Sequence, residues 1–338
     1  MSIAEHLEEA RPVYPEIEAY ISDVVEGLQS APGTPAGVVS DGEALANEVF
    51  SVLTSRRFCY LSRKRVECYR QQVVTSLVRR IALGEPFRFF YDIGPGYHAT
   101  TRPGELPLRF DVGLSELLIL AQVHDLCHRI GELYPPGGKF WFVVDNLCAL
   151  RTNDVPLTNT ELYVTRMREL IKTTKMTDMV ELIVESEAFD LEEYDSLLAG
   201  IASRAPMSHP SPGAVDNVSR FLGRPCTDEE AASRIELYSR TSAVTDQLVD
   251  RLIRDVHMTQ RATGATLGFR PFAGGDQRTQ AGELVLTRSA KGRLKPLLLT
   301  SRNVDSYDCV RFGLTNVLPS PIPYVSYAEP LSVEEIGS

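Results

Sequence analysis

No run of about eighteen apolar residues occurs anywhere in the 338-residue chain, so no segment reads as a membrane span. The N-terminus, MSIAEHLEEARP, lacks a basic flank and an apolar core and does not read as a signal peptide. Basic charge is scarce: 35 Lys and Arg face 45 Asp and Glu, a formal net charge of −10, which argues against a nucleic-acid groove and its basic stripe. Closely spaced cysteine pairs are missing as well. The six cysteines, at 59, 68, 127, 148, 226 and 309, contain no C-x-x-C and read as reduced thiols of a cytoplasmic protein. There is no G-x-G-x-x-G, P-loop or G-x-S-x-G, so dinucleotide, NTPase and α/β-hydrolase readings have no motif beneath them. No internal repeat stands out.

What is present is an ordinary globular composition, 43% hydrophobic and 24% charged, organised around the stretch from Pro86 to Tyr163. It runs PFRFFYDIGPGYHATTRPG, then LSELLILAQVHDLCHRIGELYPPGG, then KFWFVVDNL. The pattern predicts a short buried strand, a polar Gly/Pro loop, an amphipathic helix and a second buried strand. A parallel strand pair needs a crossover of this kind. A third strand, Val180 to Val184, follows a helix over Glu161 to Lys172, with a polar loop LRTNDVPLTNT between Asn146 and that helix. Strand, helix, strand, helix, strand is the doubly wound succession. Acidic residues stand at each strand end: Asp92, Asp145 and Glu185. Ligands of open α/β sheets bind beyond those carboxyl ends.

The fold class is therefore α/β, a Rossmann-like, mostly parallel sheet with a helical insertion and a β-rich C-terminal part. Residues 1–45 form an acidic helix and linker, 46–190 the Rossmann-like core, 191–264 a helical segment, and 265–338 the β-rich part completing the site. The first helix, through Ile17, Ile21 and Leu28, is expected to pack loosely or on a partner, or to be a solvated extension. One helix starts at Asp41, and a second spans Arg63 to Leu83 and stops at Gly84. A long helix is expected from Asp228 to about Thr259, then short strands ATLGFRPF, GELVLTRSA and LKPLLLTSR. LPSPIPYVSYAEP carries too much proline for a central strand and is expected to cross the surface.

Two readings compete at each candidate residue. His98, flanked by Tyr97, Thr100 and Thr101, is the titratable centre of an anion-binding loop or an ordinary loop histidine. Asp145, beside Asn146, is a turn-maker or a carboxylate on the crevice floor. Arg270, in LGFRPF, is a ligand-facing or an edge-strand arginine. His124 and His128 share a helix face, as zinc ligands do, yet no third ligand is identifiable nearby, and they read as the polar flank of that helix. No metal is expected.

Between about Arg57 and Leu170 the chain resembles the pyoverdine/dityrosine biosynthesis family, the isocyanide (isonitrile) synthases and their relatives. Ile130, Tyr134, Pro135, Pro136 and Gly137 match its I-x-x-x-Y-P-P-G helix end, and Asp111, Asp145 and Tyr163 fall on motif residues. Three positions depart. His98 stands where the family loop has lysine, Ala99 and Thr101 replace serine and asparagine, and Asn146–Leu147 replace Gly-Arg. The resemblance implies a secondary-metabolite enzyme of transferase or lyase type that condenses an amino acid's amine with ribulose 5-phosphate, using no cofactor beyond that co-substrate. Its implied catalytic groups are His98 and Asp145. Tyr97, Thr100, Thr101, Asn146, Arg151 (in place of the missing arginine) and Arg270 would bind substrate. The implied partners are an amino acid and a sugar phosphate, with no nucleic acid or membrane, and a homo-oligomer is left open. The departures equally allow a different amino-acid-modifying reaction or a non-catalytic binder.

Overall fold

The computed structural model describes residues 14–30, 41–94, 112–201, 210–222, 224–259, 266–271, 283–299, 303–314, 317–318 and 325–331. Three helices come first: α1, Tyr14–Gln29, α2, Gly42–Leu53, and α3, Arg63–Leu83. Their ends are set locally. The Asp41 carboxylate accepts the Glu43 N–H at 2.9 Å, and Ser62 caps α3 in the same manner. Gly84 closes α3 at φ 68°, a left-handed conformation that an L side chain adopts only with strain.

Strand β1, Phe87–Ile93, crosses through α4, Leu114–Leu133, to β2, Gly138–Val144. Helices α5, Asn146–Asn153, and α6, Leu157–Thr173, lead to β3, Val180–Val184. The three strands pair in parallel, with Phe87 opposite Gly138 and Phe140 opposite Val180. Four helices follow: α7, Glu185–Ala188, α8, Leu191–Gly200, α9, Pro212–Leu222, and α10, Asp228–Leu252. Two short strands, β4, Met258–Thr259, and β5, Leu267–Gly268, return beside β1 and give a parallel sheet of order β3-β2-β1-β4-β5. The remaining strands are β6, Glu283–Arg288, β7, Leu294–Leu299, β8, Tyr307–Phe312, and β9, Val325–Pro330. They form a second, mixed sheet of order β7-β6-β9-β8. The α/β assignment holds.

Alternation along the strands decides which face each side chain joins. Phe87, Phe89, Phe140 and Phe142 are fully buried in the main core, with Leu117, Leu120, Val123 and Leu126 of α4 and Tyr163, Met167 and Leu170 of α6. Phe90 and Val143 point the other way and meet Val249 of α10 and Ile253 just beyond it. Each such side chain contributes about 1.5–3 kcal/mol on burial, so the sheet is held from both faces.

Four expectations are corrected. Helix α1 is neither loose nor solvated: Ile17 and Ile21 are 0% and Leu28 3% exposed in the main core, because one apolar stripe of α1 packs against α4 and β7. Residues 150–160, expected as a polar loop, hold the end of α5 and the first turn of α6, and the N–H groups at the start of α5 are bound from elsewhere in the chain. Helix α10 stops at Leu252, and the residues expected to extend it contribute β4; β5 likewise joins the central sheet and not the C-terminal one. Strand β9 is central in the second sheet, with Val325 to Ala328 buried. Its sequence has proline only before Tyr324 and at Pro330, so the pairing segment keeps its N–H groups. Gly268 is fixed by close approach, since a Cβ there would collide with the Tyr60 ring, and Tyr60 donates its N–H to Gly268 O at 3.1 Å. Among the described residues no helix is long and apolar enough to cross a membrane.

Candidate functional site

Every strand of the parallel sheet delivers its last residues to one rim, and acidic side chains concentrate there. Asp92 is the penultimate residue of β1, Asp145 follows β2 and Glu185 follows β3. The first turn of α4 adds Glu116, whose Oε2 accepts the Gly113 N–H at 2.8 Å while Oε1 accepts the Tyr163 hydroxyl at 3.3 Å. Tyr163 is wholly buried. Burial first, then the charge and hydrogen bond of Glu116 and the charge of Asp145, push its phenol well above the usual range. Tyr91 is raised by burial, then by Asp92 and Glu116. Both rings are therefore neutral donors at physiological pH, and the same couplings place Asp92, Glu116 and Asp145 around them. Among the described residues the rim is acidic and furnished with phenols. Such a site favours a cationic ligand group, an ammonium or a protonated imine, over an anion.

Behind Asp145 lies a buried polar cluster. Glu185 is 0% exposed; its Oε2 accepts the N–H groups of Leu147 at 3.0 Å and Cys148 at 3.1 Å, and its Oε1 accepts the Thr245 hydroxyl. Burial lifts the carboxyl to about 7, against the lowering effect of these donors. Cys148 bonds Thr241 through sulfur at 3.1 Å, and burial, then the charge of Asp145, raise its thiol, so it is an unreactive partner in the cluster.

The residues singled out from sequence fare differently. His98, Tyr97, Thr100 and Thr101, like Asp111, lie outside the described residues. Asp145 stands on the rim, half-buried. Asn146 is 2% exposed with its amide fully engaged: Oδ1 accepts the Ser186 N–H at 3.0 Å, and Nδ2 donates to the hydroxyls of Ser186 at 2.7 Å and Thr160 at 3.3 Å. It holds protein, not ligand, in this conformation. Leu147, where the resembled family has arginine, packs among Tyr194, Val244 and Leu248 and faces away from the rim. Arg151 forks onto the Asp195 carboxylate, with Nε to Oδ1 at 2.7 Å. Arg270 follows β5 at the far side of the rim. Its backbone N–H donates to Phe58 O at 2.7 Å, and its buried Nε has no hydrogen-bond partner among the described residues. His124 is no surface flank: it is 9% exposed, bonded to the Ser30 backbone, and its pKa is lowered chiefly by burial. No group of three metal-ligating side chains occurs among the described residues.

Glu116, Tyr91 and Glu185 were not named as site residues from the sequence. Glu185 carried a signal there, being the third acidic residue at a strand end. Tyr91 and Glu116 carried none, since each reads as the ordinary occupant of a strand and a helix first turn.

No family model matches the chain, and no curated protein matches it. Among solved structures, the PvcA protein of Pseudomonas aeruginosa superposes with a TM-score of 0.57 at 16% sequence identity, covering 84% of this chain and 99% of that one. The two share a fold over nearly all of PvcA. The tyrosyl-tRNA synthetase of Archaeoglobus fulgidus, solved with L-tyrosine, aligns at 11% identity and a TM-score of 0.35 over 63% of this chain, a likeness too weak to imply a common fold.

Proposed function

We propose that this chain is an isocyanide-synthase-like enzyme that binds the amine of an amino acid at the acidic rim of its parallel sheet and condenses it with ribulose 5-phosphate. The observation that carries the reading is the cluster of Asp92, Asp145 and Glu116 around two buried phenols at the carboxyl ends of adjacent strands. An acidic pocket with neutral hydroxyl donors suits an amine that arrives charged, gives up a proton, attacks a ketone and passes through a protonated imine with loss of water. The motif resemblance between Arg57 and Leu170 and the fold shared with PvcA support an isocyanide-synthase-like relative. Asp145 takes the role of amine anchor and proton acceptor. Arg270, whose Nε has no acceptor among the described residues, suits the carboxylate or phosphate of a substrate. His98 remains the proposed second proton carrier, with Tyr97, Thr100 and Thr101 lining the phosphate loop. Arg151 serves a substrate anion only by exchanging Asp195 for it.

A second reading has one specific observation behind it. Leu147 turns inward, so the strand end presents no arginine where the family has one. A smaller or less anionic co-substrate, and hence a different amino-acid-modifying reaction, fits that loss. Incubating the protein with ribulose 5-phosphate and the pooled amino acids, read by mass spectrometry, tests both. A product carrying an amino-acid nitrogen and a ribulose-derived carbon supports the first reading. Consumption of an amino acid without ribulose carbon in the product supports the second, and no consumption by folded protein refutes both.

A further inference from the structure

Two buried donors on the β5 side of the sheet lack acceptors. Ser55 Oγ and Arg270 Nε are both enclosed, and neither has a hydrogen-bond partner among the described residues. They belong to one turn. The Ser55 carbonyl accepts the N–H groups of Phe58 at 3.0 Å and Cys59 at 2.9 Å, the Phe58 carbonyl accepts the Arg270 N–H at 2.7 Å, and Cys59 pairs with Phe269. Burial raises the Cys59 thiol, while hydrogen bonds from the backbone of Leu61 and Gly268 and then the charge of Arg270 draw it down, so the guanidinium lies against this turn. Orphan polar groups in a folded interior are rare and mark a partner supplied from outside the chain, water or ligand. We propose that Ser55 and Arg270 are the donors of a phosphate-monoester subsite on the β5 flank of the rim, bordered by the exposed cations Arg56, Arg63, Lys64 and Arg65.

Charge identifies the ligand class. In a chain of formal net charge −10, residues 55–70 hold Arg56, Arg57, Arg63, Lys64, Arg65 and Arg70 against Glu67 alone. Arg57 pairs with Asp125 and Arg70 with Glu67. Arg56, Arg63, Lys64 and Arg65 are exposed and make no ion pair among the described residues. Three of these crowd the first turn of α3, which has no acidic residue and where the helix dipole opposes cations. The arrangement disfavours the helix and favours an incoming anion. That turn points toward the carboxyl end of the sheet. Ser76 meets His257 just before β4, at the amino end, and Arg63 lies about 20 Å nearer the helix start at about 1.5 Å per residue. A carboxylate brings one charge and two oxygens. A phosphate monoester brings about −1.5 to −2 and three oxygens, the better match to a guanidinium, a hydroxyl and a border of cations. The acidic middle of the rim repels such a dianion and the flank attracts it, so an ammonium and a phosphate are sorted to different places. The assignment deepens the proposed function, and rests on it only in taking ribulose 5-phosphate as the phosphate ester.

Titration calorimetry of the full chain at pH 7.5 and fixed ionic strength tests the subsite, with glycerol 3-phosphate and ribulose 5-phosphate as probes and sulfate and acetate as controls. Both phosphate esters should bind, and the controls should bind far more weakly. Arg270→Met should weaken glycerol 3-phosphate by about 10- to 100-fold and Ser55→Ala by about 3- to 10-fold, the ranges for a charged and a neutral hydrogen bond. The double change Lys64→Glu, Arg65→Glu should weaken it by an amount that shrinks as salt rises. Without ligand, Arg270→Met should keep or raise the wild-type melting temperature, because its Nε gives up no protein acceptor. Should Arg270→Met fail to fold, Arg270→Gln takes its place. Equal affinity in wild type and the Arg270 variant, equal binding of sulfate or acetate, or no phosphate binding by folded wild type overturns the proposal. Glycerol 3-phosphate held through Arg270 while ribulose 5-phosphate is rejected upholds the subsite and defeats the proposed co-substrate.

Discussion

At the amino end of the central sheet Arg80, 4% exposed, is clasped by Glu85 and Asp255, and Arg79 and Arg88 join the same group. Beside it His257 is buried against Phe87 and Phe89, with Ser76 Oγ 3.3 Å from Nε2 and the Arg88 N–H 3.2 Å from Nδ1. At the carboxyl end Asp92, Glu116, Asp145 and Glu185 gather, and among the described residues they have no comparable set of cations, with Arg270 at one side. Opposite charges interleaved at one end make a seam that closes the sheet. Like charges collected at the other are held apart by backbone N–H groups, hydroxyls and phenols. The carboxyl end is also where open α/β sheets generally place their ligands.

The comparison breaks most sharply on substitution of one residue from each end. Asp145→Asn should lower any amine-dependent turnover by about 10²–10⁴-fold, the range for a positioned acid or base, with little change in stability. Arg80→Met should do the reverse. It removes the one buried guanidinium of the seam while Glu85 keeps Arg88 and Asp255 keeps Arg79, and about 1–3 kcal/mol of stability should go, measured by denaturant titration, with turnover of the remaining folded protein intact.

Acid and alkali should act on opposite ends. Burial depresses His257 from 6.5 to about 4, so the folded state binds fewer protons than the unfolded one in that window. Its contribution is complete above about pH 6.5 and lost as pH falls toward 4, about 3 kcal/mol for such a shift. Glu185, raised from 4.5 to about 7, has the other sign: its contribution is complete below 4.5 and lost as pH rises through 7, again about 3 kcal/mol. Denaturant midpoints across pH 4–8 should show His257→Gln flattening the acidic limb and Glu185→Gln the neutral limb. Interchanged effects would contradict the assignment.

A smaller effect separates packing from charge. Gly268→Ala should cost about 1–3 kcal/mol by forcing its Cβ into the Tyr60 ring, with no change in either pH limb. Full tolerance of the alanine would show that Tyr60 swings aside.

Legibility in the sequence followed the range of the interactions. Helix α3 was readable because its apolar period and Gly84 are local signals, and β1, α4, β2 and β3 because of their apolar periods, while the Ser62 cap was not read. Helix α5 was not, since the N–H groups at its start are bound by Glu185, 38 and 37 residues away in the chain. The two-residue strands β4 and β5 have no period to detect, and only pairing with β1 defines them. Asp145 was legible as a strand-end carboxylate. That it makes no cap hydrogen bond to α5, and that Asn146 is spent on Ser186, follow only from the meeting of two strand ends.

The central claim is that the acidic rim recognises an amine. The most direct measurement compares each amino acid with its desamino analogue, which keeps the carboxylate and side chain, by melting temperature at fixed concentration and pH 7.5. At 100 times its dissociation constant a ligand adds about 2.7 kcal/mol to the folded state, a readily measured rise. At least one amino acid should produce that rise, its desamino analogue should not, and Asp145→Asn should abolish the difference. Equal shifts from an amino acid and its desamino analogue, or a difference that survives Asp145→Asn, would contradict the account.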